Sequence, residues 1–163
     1  MMTSMNYSQK YAIVAFLEPI EVGVAFNMTD WPQHITIVDV FAVEHDENLN
    51  QLLAGLIAQH LRIHLTIGHE ATLGTTDVLI VNKNDKLQDL HDEVVNLLES
   101  NGAVFNNPEF THQGFLPHST IQKAGNLKSG DNITISTLAL VDMFPDGNWQ
   151  HRKVLACFEL AHI

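Results

Sequence analysis

His34-Ile35-Thr36-Ile37 and His118-Ser119-Thr120-Ile121 share one pattern: a histidine, any residue, a threonine, then an aliphatic residue. They lie in opposite halves of the chain. In an extended strand residues i and i+2 point to the same face, so each stretch presents an imidazole beside a hydroxyl. Two such pairs facing one pocket supply two proton-transfer groups and two neutral hydrogen-bond donors, a set suited to in-line attack on a phosphate diester. On that ground the chain reads as an enzyme. His64-Leu65-Thr66-Ile67 fits the pattern too, so context must decide which copies belong together.

Each outer copy follows a proline-containing loop, Trp31-Pro32-Gln33 or Phe115-Leu116-Pro117, and opens a strand. The middle copy follows a helix directly and sits inside a strand whose apolar face is Ile63, Leu65 and Ile67. His64 and Thr66 share the opposite face with Arg62 and are read as cleft-lining or partly exposed, not catalytic.

Outward from these stretches the two halves share a rhythm. Tyr11 to Leu17 reads as a strand ended by Glu18-Pro19, and His34 to Val43 as a second strand. Asp46 is expected to cap a helix with Leu49, Leu52, Leu53, Leu56 and Ile57 on its apolar face. Strands follow at 62–68 and 76–81. Asp85, with Gln88 placed for a capping box, then opens a helix with the stripe Leu87, Leu90, Val94, Leu97 and Leu98, ended by Asn101-Gly102. Ala103 to Pro117 reads as a loop or broken extended segment that delivers 118–121, and Gly125 to Asp131 as turns. Ile133 to Met143 and Arg152 to Leu160 read as strands joined through Pro145-Asp146-Gly147-Asn148. Strands interleaved with two helices predict an α+β fold, with residues 1–163 forming a single bilobal domain.

Composition narrows the function. Apolar residues make up 45% of the 163, enough for a core. The formal charge is -11, with 19 acidic and 8 basic residues, which argues against a broad grip on long duplex nucleic acid. A small nucleotide or an RNA end remains compatible. The lone Cys157 excludes an internal disulfide. Nothing resembles a signal peptide or a membrane span, so cytoplasmic residence is the expectation. His60 and His64, or His69-Glu70, lack the further ligands of a metal site. Gly125 to Gly130 lacks phosphate-loop spacing.

The paired motifs, with the strand Tyr11-Ala-Ile-Val-Ala-Phe-Leu and the terminal strand Val154-Leu-Ala-Cys-Phe-Glu-Leu, resemble the 2H phosphoesterase superfamily. The nearest branch is that of 2'-5' RNA ligases and cyclic phosphodiesterases. The resemblance implies two antiparallel sheets flanking an active-site cleft with pseudo-twofold symmetry. The family motifs map onto His34 and Thr36 and onto His118 and Thr120. Members hydrolyse 2',3'-cyclic nucleotides, cyclic phosphates related to ADP-ribose or oligonucleotide linkages, and some join RNA ends through 2'-5' bonds. No metal or other cofactor is expected.

For hydrolysis one imidazole activates water and the other protonates the leaving alkoxide, with His118 slightly favoured as base and His34 as acid. Thr36 and Thr120 donate to nonbridging oxygens. Trp31, Phe16 and Phe115 are candidates to stack on a base, and Lys123 to reach a phosphate, although strand parity separates Lys123 from His118 and Thr120. The expected substrate is a small nucleotide or an RNA end, and the expected state is a monomer. The alternatives are a nucleotide or RNA-end binding protein without significant turnover, and an RNA 2'-5' ligase.

Overall fold

Alternating apolar residues in both halves drive strand formation, and the stripes on two helices close the core against those strands. The computed structural model describes residues 9–122 and 125–162, so the candidate Lys123 lies outside the described residues. In chain order the elements are β1 (Tyr11–Phe16), β2 (Ala25–Asn27), β3 (His34–Ala42), α1 (Leu49–Ile57), β4 (Ile63–Leu73), β5 (Thr76–Asn82), α2 (Asp85–Ser100), β6 (Val104–Phe105), β7 (His118–Thr120), β8 (Asn132–Ile135), β9 (Thr137–Asp142) and β10 (His151–Glu159). They form a six-stranded sheet, β2-β10-β9-β1-β3-β6, and a four-stranded sheet, β7-β5-β4-β8. All pairings in both sheets are antiparallel. This is the bilobed α+β architecture that the resemblance implies.

One apolar core spans both sheets. Ile13, Ile35, Ile37 and Phe41 of the larger sheet meet Ile63, Leu65, Ile67 and Leu79 of the smaller one through Leu53 and Ile57 of α1 and Leu87, Leu90, Val94 and Leu98 of α2. Most of these side chains are fully buried, and each contributes about 1.5–3 kcal/mol of transfer free energy. The other face of the larger sheet carries Ala12, Val14, Ala139, Val141 and Val154, covered by Phe16, Phe26 and Trp31.

Three local expectations are corrected. The run 133–143 is two strands: β8 belongs to the small sheet and β9 to the large one, and Ser136 between them carries the chain from lobe to lobe. Strand-forming residues on both sides of Ser136-Thr137 concealed the break, because both strands are covered by the shared core. The cap of α2 is Asn84, whose side chain accepts from the Leu87 amide at 2.9 Å. Gln88 reaches instead to Asp92 and to the His112 carbonyl. At α1 the N-cap is Asn48 without a side-chain bond, while Asp46 accepts from the Tyr11 hydroxyl at 3.1 Å.

Candidate active site

The two histidines occupy equivalent places in the two sheets. His34 opens β3 and pairs with Phe16 of β1, and Thr36 pairs with Val14. His118 opens β7 and pairs with Ile80 of β5, and Thr120 pairs with Val78. The residue before each histidine accepts the amide that follows the paired position: Leu17 donates to the Gln33 carbonyl and Val81 to the Pro117 carbonyl, both at 3.0 Å. The proline loops serve the same end. His34 Nδ1 lies 2.8 Å from the Pro32 carbonyl and His118 Nδ1 lies 2.8 Å from the Leu116 carbonyl. A carbonyl only accepts, so each Nδ1 carries the proton and each Nε2 is left to exchange one.

Between the lobes lies an open cleft of two cavities. One, of about 340 Å³, is lined by Thr36, His118 and Thr120 together with Asp39, Phe110 and Phe115. The other, of about 590 Å³, is lined by Trp31, His34, Thr120 and Gln122. Thr120 borders both, so the cavities meet at the paired motifs. Burial holds the His34 imidazole below the ordinary histidine value; its bond to Pro32 opposes this, and the positive charge of a protonated His118 works with burial.

Gln33, beside His34, donates to the Ser119 hydroxyl at 2.7 Å and to the Thr120 carbonyl at 3.0 Å. Gln122 returns a bond to the Trp31 carbonyl at 2.7 Å. The second motif is thus tied to the flank of the first, and the two flanks are tied to each other. Sequence reading did not single out these glutamines, although both lie within four residues of a motif histidine.

His91 was missed as well. It is 1% exposed, and burial pushes its imidazole below the usual value. Nδ1 donates to the Ile37 carbonyl at 2.7 Å and Nε2 accepts the His112 amide at 2.9 Å. The Phe115 ring stacks on it at 4.0 Å with planes 1° apart. His91 therefore joins the strand of His34 to the loop that delivers His118. Its spacing in α2, one turn after Leu87, is the signal that could have placed it on the core face.

The structure brings His34, Thr36, His118 and Thr120 to one cleft. Trp31 lines it but is stacked on His34 at 4.3 Å, with Phe26 and Arg152 against the remainder of its ring. Phe16 belongs to the same aromatic group. Phe115 is 6% exposed beneath His91. His64 stands apart on the exposed face of β4, its Nδ1 2.9 Å from the Thr134 hydroxyl, and Thr66 bonds Asn132. Among the described residues no group of three or more His, Cys, Asp or Glu is placed to hold a metal ion. No described helix is long and apolar enough to cross a membrane.

Comparisons with known proteins bear on the fold and the family. The chain resembles a crystal structure of a phosphoesterase with a TM-score of 0.62 at 17% identity, over 94% of this chain and 98% of the other. It resembles apo E. coli LigT with a TM-score of 0.59 at 14% identity, over 94% and 98%. For E. coli LigT complexed with 3'-AMP the TM-score is 0.55 at 14% identity, over 95% and 99%. No curated protein matches by sequence. The family model of the 2'-5' RNA ligase superfamily matches residues 15–150, a span that runs from the end of β1 to the turn before β10 and includes both motifs. The chain belongs to the 2'-5' RNA ligase superfamily and is a 2H-phosphoesterase-like protein.

Proposed function

We propose that this protein is a phosphodiesterase that hydrolyses a 2',3'-cyclic nucleotide or a related small cyclic phosphate, with His34 and His118 as the acid–base pair. The observation that carries the reading is the matched tethering of the two imidazoles, each with Nδ1 on the carbonyl two residues before it and Nε2 available. Two such groups on opposite sides of one cleft suit in-line displacement, in which the entering and leaving oxygens need proton transfers on opposite faces of phosphorus. E. coli LigT, similar in fold, has been crystallised with 3'-AMP, ATP, NADP+ and phosphate, ligands of the same chemical class.

In the proposed step a water oxygen bonds to phosphorus while the ring P–O bond breaks. One histidine takes the water proton, and the other gives its Nε2 proton to the departing alkoxide. Thr36 and Thr120 donate to the nonbridging oxygens as charge grows on them. Burial disfavours the protonated form of His34, which suits a general base. His34 is therefore assigned as base and His118 as acid, reversing the slight preference from sequence.

The test is turnover of the four 2',3'-cyclic mononucleotides by EDTA-treated enzyme, with His34→Ala, His118→Ala and His64→Ala alongside. Loss of about 10²-fold or more in kcat is expected for each outer variant, the range of general acid–base catalysis, and near-native turnover for His64→Ala. Well-folded wild type that leaves every cyclic phosphate intact would refute the reading.

A further inference from the structure

The cleft has an unassigned end. Beyond Thr36, strand β3 carries a bulge: Val14 pairs with Thr36 but Ile13 pairs with Val38, which leaves Ile37 as an extra residue. A bulge reverses the parity of the residues after it, here Val38 and Asp39, up to a second register shift before Phe41. Ile37 and Val38 both go to the core, and Asp39 returns to the cleft face on which Thr36 lies, lining the same cavity. The bulged Ile37 carbonyl takes its hydrogen bond from buried His91. Asn107 Nδ2 donates to Asp39 Oδ2 at 2.7 Å, orienting the carboxylate and leaving Oδ1 as an acceptor. The walls here are apolar: Leu73 from the β4–β5 hairpin, Val78, Leu116 and Phe110. Phe110 is 43% exposed, whereas the rings of Trp31 and Phe115 are already covered by His34 and His91.

We propose that this cavity is a nucleobase subsite, in which Phe110 supplies the stacking surface and Asp39 selects bases with a hydrogen-bond-donor edge, guanine first. The proposal rests on the phosphodiester reading above and specifies its substrate. Three residues of strand separate Asp39 from Thr36, on the order of 10 Å at about 3.3 Å per residue, so the carboxylate is set back from the phosphate by roughly the length of a nucleoside. A carboxylate only accepts hydrogen bonds. Guanine offers it an imino N–H and an amino group together. Adenine and cytosine each offer an amino group, and uracil flanks its single N–H with two carbonyls that oppose the charge. Asp39 is half-buried, and a site built to accept a hydrogen bond from its ligand discriminates against one that cannot donate to it.

The experiment compares kcat/KM for 2',3'-cyclic GMP, AMP, CMP and UMP in wild type, Asp39→Asn, Phe110→Ala and the control His64→Ala. Wild type is expected to rank guanine first and uracil last. In Asp39→Asn, where the amide offers a donor as well as an acceptor, the guanine-to-uracil ratio is expected to fall about tenfold or more. Phe110→Ala is expected to lower all four values by about fivefold or more, since stacking is tolerant of base identity. His64→Ala should retain the wild-type ranking. Equal turnover of the four by wild type, or a guanine-to-uracil ratio unmoved in Asp39→Asn, overturns the subsite and leaves the reaction standing. If wild type turns over none of them, the reaction fails and the subsite is decided by binding. Calorimetry with 3'-GMP and 3'-UMP must then show tighter guanine binding in wild type that Asp39→Asn removes, and equal affinities overturn it.

Discussion

Under the proposed mechanism the pH dependence of turnover is set at the scale of single residues. A base must be deprotonated, and burial lowers the proton affinity of His34. The acid limb of kcat/KM against pH should therefore have its midpoint below 6.5, the ordinary histidine value. An acid limb above pH 7 would assign the base to another group. The threonines act differently, because a hydroxyl that donates only to a charge-bearing oxygen matters most in the transition state. Thr36→Val and Thr120→Val are each expected to reduce kcat by about 10- to 10³-fold with less effect on KM. Steady-state kinetics separate this from simple loss of binding. Sequence spacing gave both of these residues directly, since i and i+2 in a strand share a face.

At the scale of elements, α2 works as a clamp on the loop that carries His118. His112 adopts φ 55°, a backbone region unfavourable for a side-chain-bearing residue. Three points on α2 hold it there. Gln88 takes its carbonyl, His91 its amide, and Glu99 its ring at 2.9 Å, which raises the His112 imidazole's affinity for a proton. Removing His91 leaves the Ile37 carbonyl and the His112 amide without partners in the interior and opens a cavity beside Phe115. His91→Ala is expected to destabilise the fold by about 2–4 kcal/mol in urea titration. kcat should fall as well, and His91→Gln, which can both donate and accept, should recover part of each loss. An effect on stability with kcat intact would make His91 a core residue only. The same loop depends on Gly114, where a Cβ would run into the Glu109 carbonyl.

At the scale of the whole molecule two properties emerge. The first is the joint between the lobes, where Gln33 bonds across to Ser119 and Thr120. Gln33→Ala is expected to lower kcat/KM about tenfold or more, because small misplacement of paired catalytic groups is costly in rate, while stability changes by only about 1 kcal/mol. Comparison of turnover with urea midpoints distinguishes the two effects. The second is a linkage to acid. His34 and His91 are both held below the ordinary histidine value by burial, so the folded chain binds their protons less readily than the unfolded chain does. Their contribution to stability is present above pH 6.5 and is lost as pH falls through and below it; His112 acts in the opposite sense from the surface. Urea midpoints should therefore decline from pH 7.5 to pH 5, and His91→Gln should flatten that decline.

Local pattern alone determined both helices, most of the strands and the α+β class, and it singled out His34 and His118 as candidates, because strand and helix periodicity and proline-containing loops act within a few residues; the short edge strands β2 and β6 left no such pattern. It could not show that the run from Ile133 to Met143 divides between two sheets, since a strand covered by a shared core looks the same whichever sheet it joins. Nor could it show that a bulge at Ile37 turns Asp39 into the cleft, because register is set by the partner strand β1 and not by β3 itself. Gln33, His91 and Phe110 acquire their places only when segments far apart in the chain meet. Tertiary packing decided which aromatic rings are spent on neighbouring side chains and which ring is left facing the cleft.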